Sequence, residues 1–335
     1  MPVPLIDLAA EPPYVQAQRI DAALREQGFF AVTGHGVPPA VVAHAFEASR
    51  RFFALPQAAK ERWHIDGWPH EEAHGRPKLP HPQGPRRGPF VALGGLTRSG
   101  RLGGAIKRGF DPIGWQSLDP GQPPDVKESF YLGVESIGPN QWPDESLLPG
   151  FRAACNVYSK TLDALARRLM ALFETALQLR PGYFDSYMQN PTVTTRLLHY
   201  PPQPALAAPG QIGCGAHTDW GALTLLAQDD AGGLQVQSPK GDWFDVPPIP
   251  GSFVVNVGDM AQRWTNDRWR STMHRVINKR SSRDRYSIAY FFDLDAQSRI
   301  EPLPSCVSAE HPARYAPITA GEHLVEMYRR TTVRA

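Results

Sequence analysis

From Thr192 to Phe292 the chain breaks into short apolar runs divided by turn residues, and none of them sustains a helical period. Thr192–Tyr200, Ala222–Gln228, Leu234–Gln237, Trp243–Val246, Ser252–Val257, Ser271–Asn278 and Tyr286–Phe292 read as strands. Clusters such as Pro239-Lys240-Gly241-Asp242 read as the turns between them. Short strands at this spacing predict an all-β barrel or a double-sheet jelly roll, architectures that protect their edges.

The rest of the chain supplies helices. From about Pro149 to Leu179, apolar residues including Tyr158, Leu162, Leu165, Leu169 and Leu172 recur at helical spacing, and Arg180-Pro181-Gly182 ends the run. A closing helix is predicted from about Ala320 to Arg330. Nearer the N-terminus, Pro4–Leu8 and Gly28–Gly34 read as strands, while Val15–Gln27, Ala40–Phe53 and Ala58–Trp63 read as helical. The fold class is therefore α+β: a jelly-roll core flanked by helices, with a mixed α/β N-terminal region. The natural division is 1–145, packed on the core rather than independent, and 146–335, carrying the long helix, the jelly roll and the C-terminal helix.

Proline and glycine are abundant, at 34 and 29 residues, and they cluster between 67 and 124. Between Arg76 and Arg108 lie eight basic residues and no acidic ones, and the same Pro/Gly-rich loop (about 67–109) carries His70, His74 and His81. A loop of this length is either solvated and mobile or a lid whose arginines draw an acidic substrate. The histidine spacing is too irregular for a second metal site.

A net charge of +2 gives no electrostatic footprint for nucleic acid or an anionic membrane. No apolar run reaches membrane-spanning length, and MPVPLIDLAA lacks the pattern of a secretory signal. Three widely spaced cysteines, Cys155, Cys214 and Cys306, suit a reducing cytoplasm. The expectation is a cytoplasmic monomer or weak homodimer.

Chemistry concentrates in the β half. In GAHTDWGALTLL (residues 215–226), strand geometry sends His217 and Asp219 to one face and Thr218 to the other. If that face is interior, a carboxylate has been buried and needs a positive partner. On the same strand Cys214 would face away from His217, so it reads as a small buried hydrophobe. His274 lies fifty-seven residues after His217. Two imidazoles and a carboxylate on rigid strands make the facial triad of non-haem Fe(II) and leave coordination positions open; catalytic zinc uses a similar set. Arg285 and Ser287 share one strand face, where a guanidinium and a hydroxyl clamp a carboxylate.

His217-x-Asp219, His274 and Arg285-x-Ser287 together resemble the iron(II)/2-oxoglutarate-dependent dioxygenases of the isopenicillin N synthase-like superfamily. Leu5-Ile6-Asp7-Leu8, Gly28-Phe29-Phe30, Lys107-Arg108-Gly109-Phe110, Asp125–Phe130 and Asn256-Val257-Gly258-Asp259-Met260 extend the resemblance over most of the chain. It implies a double-stranded β-helix, with Fe(II) held by His217, Asp219 and His274 as the catalytic centre. It also implies that Arg285 and Ser287 bind the distal carboxylate of 2-oxoglutarate, with Tyr200 near the cosubstrate. Many members carry asparagine two residues before that tyrosine, and here the position is Leu198. Trp220 and Phe291 fall where members line the substrate pocket. The implied reaction takes O2, releases succinate and CO2, and oxidises a small molecule, by default through hydroxylation, with ascorbate as an aid in keeping iron reduced. An acidic or aromatic substrate is compatible with these residues.

Three alternatives stay open. An Arg/Ser clamp identifies a carboxylate without saying which, so an oxidase that does not use 2-oxoglutarate fits the same residues, as does an ethylene-forming variant. A catalytically silent ligand-binding module on the same fold is the reading from another class.

Overall fold

The computed structural model describes residues 3–65, 108–119, 121–202, 210–277 and 283–331. The basic loop, with His70, His74, His81 and every basic residue from Arg76 to Lys107, lies outside them. Across the large sheet the strands run β1 (Leu5–Asp7), β2 (Phe29–Thr33), β10 (Phe253–Asn256), β7 (Leu223–Gln228), β12 (Arg285–Phe292), β5 (Val193–Tyr200), β4 (Glu128–Gly133) and β3 (Gly109–Asp111). A smaller sheet holds β6 (Cys214–His217), β11 (His274–Val276), β8 (Leu234–Gln237) and β9 (Trp243–Asp245). A short pair, β13 (Arg299–Ile300) and β14 (Ile318–Thr319), stands apart.

Period-two alternation divides the apolar residues of the large sheet between two cores. On β12, Ile288, Tyr290 and Phe292 join the core on the helix side. Ala289 and Phe291 join a second core with Leu198 and Tyr200 of β5, Val254 of β10, and Cys214, Val236 and Val276 of the small sheet. That second core is the interior of the jelly roll, and parity turns Arg285 and Ser287 toward it as well.

The helix-side core is covered by α4 (Phe151–Ala176), which contacts β7 and β12 and is flanked by α1 (Pro13–Glu26) and α2 (Pro39–Phe53). Proline opens α1 and α2, where its missing N–H costs no hydrogen bond. α3 (Gln57–Lys60), α5 (Asp259–Trp264) and α6 (Ala320–Thr331) complete the set. Among the described residues, no helix is long and apolar enough to cross a membrane.

Several strands differ from the reading of the sequence. The run predicted at 271–278 narrows to His274–Val276, the strand read through His217 and Asp219 ends at His217, and β3, β4, β13 and β14 are additions to the predicted set. β4 escapes a hydrophobic-pattern search because Glu128 is buried and neutralised, its carboxylate accepting from Lys60 Nζ at 2.6 Å and pairing with His199 Nδ1 at 2.7 Å. The N-terminal region contributes β1 to β4 to the large sheet, with β2 paired directly to β10. A polar tie reinforces that pairing: Asp21 of α1 accepts from Trp269 Nε1 at 2.8 Å and from Arg268 Nε and Nη2 at 3.1 and 3.0 Å. Asp21→Ala leaves the buried indole N–H without its partner and should cost about 1–3 kcal/mol. Urea unfolding should show a lower midpoint in one cooperative transition; two separated transitions would make the N-terminal region an independent unit.

Candidate active site

β6 and β11 pair so that His217 and His274 stand directly opposite each other, their ring centroids 4.2 Å apart. Each ring engages a nearby carbonyl through Nδ1: His217 with Gly215 at 2.8 Å and His274 with Thr272 at 3.1 Å. With Nδ1 as donor, each Nε2 is left as a lone-pair ligand. Asp219 completes the group, its Oδ1 3.7 Å from His274 Nε2, and one ligand atom from each residue lies within 4.8 Å of the others.

Asp219 lies on the side that parity predicts, but not by way of the strand. β6 ends at His217, so Asp219 reaches the interior from the turn that follows, and hydrogen bonds rather than the pleat fix its direction. Its Oδ2 accepts from Thr224 Oγ1 at 2.7 Å and from Asn256 Nδ2 at 2.6 Å. Its carbonyl accepts the N–H of Asp259 at 2.9 Å, and that of Trp220 accepts the N–H of Met260 at 3.0 Å. Gly258 permits this approach, since a Cβ there would lie 2.6 Å from the carbonyl oxygens of both Asp219 and Gly221. Cys214 also departs from expectation. Three residues of β11, His274 to Val276, span four of β6, Cys214 to His217, and this bulge returns Cys214 Sγ to within 3.9 Å of His217 Nδ1. The thiol also accepts from Lys127 Nζ at 3.5 Å.

The electrostatics favour metal binding. Burial holds the His217 imidazole below its usual range and, with His217 beside it, lowers His274 to about 4. Burial alone would raise the Asp219 carboxyl, but His274, His217 and the bonds from Asn256 and Thr224 outweigh it and hold the group below its ordinary value. Neutral imidazoles and an ionised carboxylate are the protonation states a divalent cation needs. The donor set therefore fits ferrous iron.

Farther along the interior, Arg285 is buried, and among the described residues no carboxylate pairs with it. Its Nε donates to the Gly232 carbonyl at 2.7 Å, Nη1 to Ser287 Oγ at 3.1 Å and Nη2 to Gln228 Oε1 at 3.3 Å, while Tyr200 lies beneath it with its ring centroid 4.7 Å from Cζ. Gln228 Nε2 is buried without a partner. A buried cation lacking a counter-ion, beside an unused amide donor, fits an anionic ligand such as the distal carboxylate of 2-oxoglutarate. Phe291 packs on the jelly-roll interior, whereas Trp220 packs on the helix-side core and its carbonyl accepts from His323 Nε2 at 3.0 Å.

Sequence reading does not assign roles to Thr224, Asn256 or Gln228. The available signals are a threonine inside the 215–226 stretch and an asparagine opening Asn256-Val257-Gly258-Asp259; only the strand register joins either of them to Asp219.

Residues 191–294 match the 2OG-Fe(II) oxygenase superfamily, and residues 3–79 match the non-haem dioxygenase in morphine synthesis N-terminal family. The chain is 33% identical to the 2-oxoglutarate-Fe(II) type oxidoreductase hxnY of Emericella nidulans, over 95% of this chain and 85% of that protein. It is 34% identical to homoarginine-6-hydroxylase 2-ODD-C23.1 of Arabidopsis thaliana, over 92% and 87%. A full-length protein of Neurospora crassa, solved in complex with alpha-KG, superposes with a TM-score of 0.80 at 32% identity, over 98% of this chain and 96% of that one. The chain belongs to the 2OG-Fe(II) oxygenase superfamily. It is an oxidoreductase that uses Fe(II), 2-oxoglutarate and O2.

Two measurements follow from this geometry. Asn256→Leu removes the shortest bond to Asp219 and should weaken Fe(II) binding about 10- to 100-fold by anaerobic titration; unchanged affinity would remove Asn256 from the metal's support. Asp293, whose Oδ1 accepts from Ala222 N at 3.0 Å, is pushed up to about 7 by burial, against that bond. Its folded pKa exceeds an unfolded value of about 3.9, so the stabilising effect of protonation is fully present below that value and is lost as pH rises through about 7. Metal-free Asp293→Asn should therefore melt higher than the parent at pH 8, with the gain vanishing near pH 4; an equal or lower melting point at pH 8 would contradict the assignment.

Proposed function

We propose that the enzyme hydroxylates a C–H bond of a small molecule, with His217, Asp219 and His274 holding Fe(II). Arg285 and Ser287 hold the distal carboxylate of 2-oxoglutarate, backed by Tyr200 and oriented by Gln228. One observation carries this reading: the three ligands and the unpaired Arg285 face the same interior. Iron bound there supplies the redox chemistry that couples decarboxylation of 2-oxoglutarate, giving succinate and CO2, to substrate oxidation.

The chain's own share is placement and exclusion of water. Gly215 and Thr272 fix the imidazole tautomers, Thr224 and Asn256 fix the carboxylate, and Leu198, Leu226, Val254 and Ala289 line the interior with apolar surface. Phe291 is a wall of the substrate site, and Trp220 acts on that site through the turn it shares with Asp219. The relatives support a small-molecule substrate: the Neurospora crassa protein was solved with thymine and with 5-formyluracil, and a relative from Streptomyces hygroscopicus subsp. limoneus is a validamycin A dioxygenase. Free cysteines and near-neutral charge support a cytoplasmic monomer or weak homodimer with no nucleic-acid or membrane partner; ascorbate would help to keep the metal ferrous.

Anaerobic titration should show 2-oxoglutarate binding that depends on Fe(II), and admitting O2 should release succinate and CO2. Arg285→Gln should raise the KM for 2-oxoglutarate about 10- to 100-fold, the worth of a charge-assisted pair. No cosubstrate binding in the parent, or an unchanged KM in the variant, would overturn the assignment.

A further inference from the structure

On the buried side of α6 an imidazole stands where the helical pattern calls for an apolar side chain. Ala320, Leu324 and Val325 are buried, and His323 among them is 5% exposed. Such a stripe faces a core, and a polar ring placed there is costly unless it finds a hydrogen-bond partner. The partner lies 103 residues away in sequence: His323 Nε2 engages the Trp220 carbonyl at 3.0 Å. A carbonyl can only accept, so Nε2 carries the proton.

Trp220 follows Asp219, and successive peptide groups of their turn are held by distant donors and acceptors rather than by a strand ladder. The Asp219 carbonyl accepts the N–H of Asp259 at 2.9 Å and the Ser271 hydroxyl at 3.4 Å. The Trp220 carbonyl accepts the N–H of Met260 at 3.0 Å as well as the imidazole. Beyond it, the N–H of Ala222 donates to Asp293 Oδ1 at 3.0 Å, and a Cβ on Gly221 would collide with that carboxylate. Both lone pairs of the Trp220 carbonyl are thus engaged. One bond comes from the first turn of α5, whose N–H groups have no partner inside the helix, and the other from α6.

α6 is itself anchored at its start. The N–H of Thr319 donates to Glu322 Oε2 at 2.9 Å, and the N–H of Glu322 donates to Thr319 Oγ1 at 3.2 Å, a reciprocal cap. The N–H groups of Ala320 and Gly321 donate to the carbonyls of Ser298 and Ala296 at 2.8 and 2.9 Å. Ala320 and Leu324 share one core with Ala222, and Trp220 packs against it. His323 therefore presents its N–H from a fixed platform. A histidine serving stability alone could be exchanged for any side chain that fills the space. One serving the ligand could not, because removing the N–H frees the peptide group beside Asp219.

We propose that α6 belongs to the metal site: His323 is a positioning residue that fixes the Asp219 turn, so the C-terminal helix sets the affinity for Fe(II) without touching it. This rests on the assignment of His217, Asp219 and His274 as ligands. The test titrates the full chain anaerobically with Fe(II), and in parallel with Co(II), whose visible bands report ligand geometry. His323→Leu fills the space without an N–H and should weaken Fe(II) binding about 10-fold and alter the Co(II) spectrum. His323→Gln, whose amide can donate to the same carbonyl, should recover most of the affinity. Leu324→Ala, one residue along, should lower the metal-free melting temperature and leave affinity and spectrum as in the parent. If His323→Leu does not fold, His323→Ala takes its place in the same comparison. Unchanged affinity without the imidazole, no recovery with glutamine, or equal weakening in Leu324→Ala would overturn the proposal. A parent that binds no Fe(II), or an Asp219→Ala variant that binds it as tightly as the parent, would instead overturn the ligand assignment beneath it.

Discussion

The Asp219 carboxylate joins the two sheets at the point where chemistry occurs. One oxygen accepts from Thr224 of β7 and Asn256 of β10, both in the large sheet, and the other faces His274 of the small one. Its carbonyl in turn receives the first N–H of α5. A charge buried between layers is costly unless fully met, and two short bonds meet only half of this group. The remaining oxygen, with two neutral imidazoles, makes the interior stable to a divalent cation and less stable without it. Under the proposed ligand assignment, metal binding would therefore add to the stability of the folded jelly roll.

The sequence carries the chemistry of this site more legibly than its geometry. His217, Asp219, His274, Arg285 and Ser287 are recognisable because each residue type answers a definite demand, whether a neutral nitrogen, a hard oxygen or a planar cation. The route by which Asp219 faces inward is not legible: strand parity gives the right side for the wrong reason, because the strand has already ended at His217. The bulge that brings Cys214 back toward His217 leaves no mark in the local sequence, since an extra residue shows only against the partner strand. Fold class is readable from the short apolar runs that become β5, β7 and β10 and the turn residues between them. It is unreadable in β4, where Lys60 and His199 neutralise a buried Glu128 from elsewhere in the chain.

The inner face of β12 carries the proposed carboxylate clamp and the aromatic ring on one strand. Arg285, Ser287, Ala289 and Phe291 follow one another at alternate positions, from cation to hydroxyl to methyl to aromatic ring. Six residues of strand extend about 20 Å, enough for a short diacid and a ring laid end to end. The cation lies buried at the far end, where the diacid's outer carboxylate would meet it, and the aromatic ring is opposite Thr224, whose hydroxyl donates to Asp219.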